Sequence, residues 1–196
     1  SVLNDFEDGK WRTEKFQDFV WDNIADTALS AREREILAGR IGTQLRAIAK
    51  KLRLTDAKKD SGNGSELAEA VLYGILRNRF NALPVVPKIF YKQNANDYAK
   101  GADSVHIVLE NDGDFTLWLG EAKFYKSISN ASLRKVVKSV AGTLSTEKLQ
   151  NENRIVTSLS DLDFLGIPGP TKAAIRSALS SSQSIDVLKP RLRIPI

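Results

Sequence analysis

Apolar residues recur at helical spacing along the first part of the chain. One face of a first helix is formed by Phe16, Phe19, Val20 and Ile24. A second, longer helix is expected to begin at Ser30, because Ser30 and Glu33 have the Ser-x-x-Glu spacing of a capping box. Its apolar stripe consists of Ile36, Leu37, Ile41, Leu45, Ile48 and Leu52. The basic residues between Arg40 and Arg53 then fall on the remaining side, where we expect a solvated outer face.

The pattern changes from helix to strand after a third predicted helix, Ser65 to Phe80. A β-rich run from Val85 to Tyr91 follows this helix. Pro84 and Pro87 favour a late start or an edge position for that strand, because proline cannot donate to a β-ladder. A later helix is predicted from Ser132 to Leu144, with apolar residues at Leu133, Val136, Val137, Val140 and Leu144. Short helices follow, including one that opens at Thr171, and the last predicted element is an extended run from Leu192 to Ile196.

Two further strands form a hairpin whose register is set by its own sequence. They are predicted over residues 103–110 and 114–125, with Asn-Asp-Gly between them. A three-residue loop with Gly113 in the left-handed conformation pairs Glu110 with Asp114. The pairs on one face are then all apolar: Leu109 with Phe115, Ile107 with Leu117, and Val105 with Leu119. A slip by one residue would destroy this segregation, so the pattern selects the register.

The order of these elements predicts an α/β fold with a mixed β-sheet flanked by helices. A turn-rich stretch over residues 60–64, Asp-Ser-Gly-Asn-Gly, separates the first helices from the rest. We therefore predict an N-terminal helical extension over residues 1–60 and a sheet-containing domain over residues 61–196.

Composition restricts the available chemistry to carboxylates and lysines. The 196 residues contain no cysteine and a single histidine, so disulfides, thiolate nucleophiles and metal sites built on histidine pairs are excluded. In the hairpin register His106 faces away from the acids beside Trp118, which indicates a packing or surface role. The 29 Lys and Arg against 24 Asp and Glu give a net charge of +5. No apolar run is long enough to span a bilayer, so we expect a cytoplasmic location without membrane association.

The hairpin register brings two carboxylates and a lysine to one place. One step beyond the apolar pairs, Asp103 lies opposite Glu121, and Lys123 follows two residues later. Like charges at the end of a buried sheet face are unfavourable unless a cation compensates them, and Mg²⁺ is commonly held by one or two carboxylates. The alternative is a simple ion pair of Lys123 with either acid. The pattern [Asp/Glu]-x-Lys also occurs at Asp8-Gly-Lys10 and Asp56-Ala-Lys58, but only the third copy follows a buried strand whose partner supplies an acid.

These residues resemble the PD-(D/E)xK nuclease superfamily. The most specific strings are Glu66-Leu-Ala-Glu69, Lys100-Gly-Ala-Asp103-Ser-Val-His106 and Leu119-Gly-Glu-Ala-Lys-Phe-Tyr125. They are similar to the HamA family, the nuclease subunits of the Hachiman anti-phage defence system. The final residues, 191–196, resemble the start of a further strand in that family, which implies that the family's chain continues beyond this point.

The resemblance implies a restriction-endonuclease-like core and the role of each residue in a Mg²⁺- or Mn²⁺-dependent DNA endonuclease. Asp103 and Glu121 correspond to metal ligands, and Lys123 corresponds to the catalytic lysine. The helix glutamate is Glu69 or Glu66, and the small residue before Glu69 together with the apolar run after it favours Glu69. Ala102 replaces the usual proline before the aspartate. A HamB-like helicase subunit is implied as the partner that restrains the nuclease.

A basic strip next to the proposed site is the candidate DNA contact. It consists of Lys126, Arg134, Lys135 and Lys138, and it would neutralise phosphates without reading bases. A solvated helix face is the alternative. Because no stacking platform or recognition helix is present, we expect sequence-nonspecific cleavage.

The alternative function is a non-catalytic adaptor that binds DNA or couples to the helicase. The aromatic residues Trp11, Phe16, Phe19 and Trp21 belong either to the core or to a partner-binding surface.

Overall fold

The computed structural model describes residues 6–52, 65–86, 102–111, 113–123, 125, 127, 129–158 and 160–196. The helices are α1 Thr13–Ala28, α2 Ala31–Ile36, α3 Ile41–Lys51, α4 Ser65–Phe80, α5 Asn130–Thr143, α6 Thr146–Ser158, α7 Gly169–Ala178 and α8 Ile185–Leu188. The strands are β1 Phe6–Glu7, β2 Lys10–Trp11, β3 Leu83–Val86, β4 Ser104–Leu109, β5 Phe115–Gly120 and β6 Leu192–Arg193. Short 3-10 helices cover Ser160–Phe164 and Lys189–Arg191.

A four-stranded mixed sheet in the order β3-β4-β5-β6 forms the centre of the protein. The pairs β3–β4 and β4–β5 are antiparallel, whereas β6 lies parallel to β5. The hairpin has the predicted register, with Val105 opposite Leu119 and Ser104 opposite Gly120. Gly113 has a φ of +81° in the turn, as the three-residue loop requires. The predicted α/β class with a mixed sheet flanked by helices is therefore confirmed.

Helices cover both faces of this sheet. The main core lies on the face that carries Val105, Ile107, Leu117 and Leu119, which pack against residues of α6, α7 and α8. The opposite face carries Trp118 and Val108 and packs against Leu72 and Leu76 of α4. A separate small core joins α1 to α3 and consists of Ile24, Ala28, Leu29 and Ile48. The odd-numbered and even-numbered positions of β4 and β5 therefore face different layers, as strand alternation requires.

The second N-terminal helix is divided into two, so the single helix predicted from Ser30 to Leu52 was wrong. The predicted capping box is present, since Ser30 Oγ accepts from Glu33 N and Glu33 accepts from Ser30 N. However, α2 ends at Ile36, and Gly39 adopts a φ of +74° before α3 begins at Ile41. A left-handed glycine after a short helix is a common helix stop, and the apolar spacing continues across this break.

Other elements differ from the prediction at their ends. β3 begins at Leu83, earlier than expected, and it is an edge strand with an irregular register between Pro84 and Val86. β5 ends at Gly120, whereas the sequence favoured a strand to Tyr125. The short β1–β2 hairpin and the 13-residue helix α6 were not predicted as such. The boundary loop over residues 60–64 and the predicted strand residues beyond Val86 lie outside the described residues.

The apolar stripe predicted for α5 faces solvent over much of its length. Leu133, Val137 and Leu144 are exposed, and Val137 is 67% exposed. The side of α5 that is turned inward carries Val136, Ser139, Val140 and the buried Thr143. The helix is therefore rotated relative to the expectation, and two hydroxyl side chains lie on its inner side.

The large N-terminal aromatics lie mainly at the surface. Trp11 and Trp21 are 48% and 60% exposed, while Phe16 and Phe19 are half-buried. Trp11 and Phe16 contact each other with ring centroids 5.2 Å apart. Within the described ranges, no helix is both long and apolar enough to cross a membrane.

Candidate functional site

The backbone at the end of the β4–β5 hairpin places Asp103 and Glu121 side by side. The ladder continues one step past β4, because Asp103 N donates to Gly120 O at 2.8 Å. Ala122 N donates to Asp103 Oδ2 at 2.9 Å, which fixes one oxygen of that carboxylate. Glu121 N donates to Pro195 O at 3.0 Å, so the segment after β6 holds the second acidic residue. The predicted convergence of the two acids is present.

Lys123 contacts both carboxylates through one ammonium group. Its Nζ lies 3.5 Å from Asp103 Oδ2 and makes a closer ion pair with Glu121 Oε1. The Glu121 side chain is 5% exposed, whereas the Lys123 side chain is 31% exposed and reaches solvent. Burial lowers the pKa of Lys123, but its hydrogen bond to Glu121 and the charges of Asp103 and Glu121 outweigh that effect and raise the pKa above its ordinary value. The lysine is therefore held as a cation at neutral pH.

Two polar residues that the sequence reasoning missed support the acidic pair from neighbouring helices. Ser139 of α5 donates a hydrogen bond from Oγ to Glu121 Oε1. Glu152 of α6 is 1% exposed and accepts from Ala102 N at 2.9 Å, immediately before Asp103. The only sequence signal for Ser139 is a small polar residue three positions after Val136, and nothing in the local pattern marks Glu152.

The helix α4 approaches the same end of the sheet from the opposite face. A Cβ added to Gly120 would lie 2.8 Å from Leu72 Cδ2 and 2.1 Å from Ser104 Oγ, so only glycine fits where the helix and β4 meet β5. Leu72 therefore contacts the residue directly before Glu121. Glu69 lies one helical turn before Tyr73 on the same helix and is 2% exposed, while Glu66 is half-buried.

A third acidic ligand does not join Asp103 and Glu121 in the part of the chain that the structure describes. In those ranges no group of three or more Asp, Glu, His or Cys residues could hold one metal ion. Glu69 is the helix glutamate favoured from sequence, and its participation in the site stays a prediction. The same applies to Glu66.

The basic strip lies on the outer side of α5. Arg134, Lys135 and Lys138 are all exposed, and Lys126 lies outside the described residues. Arg134 and Lys138 flank an exposed apolar surface of the same helix, which is formed by Leu133, Val137 and Ala141. Their role in binding DNA stays a prediction.

His106 is a packing residue, as one of the sequence-based alternatives proposed. It is fully buried, pairs with Trp118 across the hairpin, and contacts the Tyr73 ring at a centroid distance of 4.5 Å. Burial lowers its pKa from 6.5 to about 3. The histidine is therefore neutral at physiological pH, and it lies on the sheet face opposite to the acidic pair.

The sheet, its helical layers and the acidic pair at the hairpin end define an α/β protein whose core is consistent with that of nucleases. The chain belongs to the HamA family, whose model matches residues 2–196. Membership of this family associates the protein with Hachiman anti-phage defence. No curated protein and no solved structure matches the chain.

Proposed function

We propose that the protein is a metal-dependent DNA endonuclease and the effector of a Hachiman defence complex that includes a helicase subunit. The observation that carries this proposal is the contact of the Lys123 ammonium with both Asp103 and Glu121. Two carboxylates that contact the same cation at the end of a buried hairpin are suited to hold the metal ion of a phosphodiesterase. Family membership supports the defence role and the helicase partner.

The donor set fits a divalent metal such as Mg²⁺ or Mn²⁺. Oxygen atoms of one or two carboxylates, completed by water and substrate phosphate, are the ligands that Mg²⁺ prefers. Asp103 Oδ2 and Glu121 Oε1 already contact protein donors, so each carboxylate has a second oxygen that is not used by these contacts. When bound, the metal would supply positive charge for the phosphate oxygens.

Lys123 is proposed to act on the attacking water and on the phosphate as a cation. It already contacts both carboxylates, and as an ammonium group it can donate hydrogen bonds. A donor fixed beside the reacting phosphate orients the attacking water and stabilises charge that develops in the transition state. Glu69 is proposed to assist from α4, either directly or through water.

The exposed basic residues of α5 are proposed to hold the DNA. Arg134, Lys135 and Lys138 lie on the helix that also carries Ser139, which contacts Glu121. Lysine and arginine contacts to phosphate position a duplex and carry no sequence information. We therefore propose cleavage without sequence specificity.

Plasmid degradation with Mg²⁺ or Mn²⁺ tests the catalytic proposal. The protein is assayed alone and in complex with its helicase subunit, against Lys123→Ala, Glu121→Ala and the control Lys189→Ala. Lys189 is an exposed lysine that pairs with Asp186 on the surface. Lys123→Ala removes a transition-state donor and is expected to cut at least about 100-fold more slowly. Glu121→Ala removes a proposed metal ligand and should also cut far more slowly, whereas the control should retain parental activity. Parental rates in both site variants would refute the assignment.

The non-catalytic adaptor is the second candidate, because of the exposed apolar surface on α5. An exposed apolar surface with Arg134 and Lys138 beside it is also suited to binding a macromolecule without chemistry. An adaptor would bind DNA or the helicase in the parent and in Lys123→Ala alike. It would show no cleavage in the complex with any divalent metal.

A further inference from the structure

Ser139 makes the one described side-chain hydrogen bond from α5 to the acidic pair. Its Oγ donates to Glu121 Oε1, the same oxygen that the Lys123 ammonium contacts. Both donors therefore engage one oxygen of the carboxylate. That arrangement fixes the rotation of the carboxylate and turns the Oε2 atom away from these two contacts.

The Thr143 hydroxyl contacts the backbone of Ser139 and not its hydroxyl. Ser139 is half-buried on the inner side of α5, and Thr143 Oγ1 donates to Ser139 O at 3.2 Å one turn later. The backbone of Glu121 is held independently by Pro195 O. The hydrogen bond to Pro195 O fixes the backbone of Glu121, and the hydrogen bond from Ser139 orients its carboxylate.

We propose that Ser139 is a positioning residue that orients Glu121 for a divalent metal ion, an inference that rests on the proposed function. Hydrogen bonds to a ligating carboxylate commonly contribute about 10- to 100-fold to metal affinity, because they restrict the ligand to its binding orientation. Ser139 itself does not contact the metal or the substrate in this proposal. Its loss should therefore weaken metal binding and leave the fold intact.

Mn²⁺ binding to the full chain without DNA tests this inference, measured by calorimetry and by the electron paramagnetic resonance signal of free Mn²⁺. Four variants are compared with the parent: Ser139→Ala, Ser139→Thr, Thr143→Val and Glu121→Ala. Ser139→Thr keeps the hydroxyl. Thr143→Val removes a hydroxyl from the same helix without touching Glu121. Urea unfolding of each variant verifies that the fold is retained.

We expect Ser139→Ala to raise the Kd for Mn²⁺ at least about tenfold, with Ser139→Thr and Thr143→Val staying within about threefold of the parent. Equal affinity of the parent and Ser139→Ala would overturn the inference, and so would an equal loss in Thr143→Val. The proposed function fails in a different way. If Glu121→Ala binds Mn²⁺ as well as the parent does, the metal site itself is wrongly assigned and the inference falls with it.

Discussion

Mild acid should destabilise the fold mainly through His106. Burial against Tyr73 and Trp118 holds the pKa of this histidine at about 3, whereas an unfolded chain has the ordinary value of 6.5. Neither ring nitrogen has a hydrogen-bond partner among the described residues. The unfolded state therefore takes up a proton first as the pH falls. The stability that is present above pH 6.5 is lost progressively between pH 6.5 and pH 3.

The size of this effect follows from the two pKa values. Between pH 7.5 and pH 5.0 the protonation of the unfolded histidine lowers the free energy of unfolding by about 2 kcal/mol. Any folded-state pKa below about 4 gives nearly the same loss at pH 5.0, because the folded protein is then still almost entirely neutral. For a chain of this length the midpoint of thermal unfolding should fall by about 4 to 8 °C.

Urea unfolding followed by tryptophan fluorescence at pH 7.5 and pH 5.0 measures this loss. His106→Leu and His106→Phe remove the titrating group and fill the site with apolar atoms, so their free energies of unfolding should change much less with pH. The difference between the two pH values is the readout, and it is insensitive to a constant packing cost in either variant. A parent that loses less than about 0.5 kcal/mol would refute the reasoning. So would a leucine variant that loses as much as the parent.

Three further substitutions test the local structure. Ser30→Ala removes the hydroxyl that caps α2 through Glu33 N and should lower the free energy of unfolding in urea by about 1 kcal/mol; no change would argue against the cap. Gly120→Ala places a methyl group 2.1 Å from Ser104 Oγ and should cost about 1 to 3 kcal/mol, with partial recovery in the double variant with Ser104→Ala. Lys123→Met leaves two neighbouring carboxylates without their ammonium and should lower the unfolding temperature in EDTA. On the proposed function, Mg²⁺ should then raise the unfolding temperature more in this variant than in the parent. An equal rise in both proteins would contradict the role of Lys123 in compensating the two carboxylates.

The hairpin could be predicted from sequence because its register depends only on local alternation. Apolar residues at every second position and a loop ending in Gly113 leave one register that separates the two faces. The same register places Asp103 opposite Glu121, so the acidic pair required no knowledge of the helices. The prediction of the pair and of the hairpin therefore depends on the same pattern.

The helical parts were less predictable because their faces are chosen by tertiary packing. The apolar spacing of α2 and α3 is continuous, and only the left-handed conformation at Gly39 divides them. In α5 the sequence favours Leu133 and Val137 as the buried side, but the structure turns Ser139 inward. A side chain that reaches from a helix to a residue 18 positions earlier, directly after a strand, leaves no periodic signal in the sequence.

The net charge of the site explains why the proposed function includes a divalent metal ion. Two carboxylates and one ammonium give the cluster of Asp103, Glu121 and Lys123 a formal charge of −1, which repels a phosphodiester of the same sign. A monovalent cation would only neutralise the cluster, whereas Mg²⁺ or Mn²⁺ would make it positive and attract the substrate. The lysine cannot reverse the sign by itself, since its charge is already counted. On the proposed function, the divalent ion would make the cluster attractive to the phosphate that is cut, while the exposed basic residues of α5 hold the rest of the DNA.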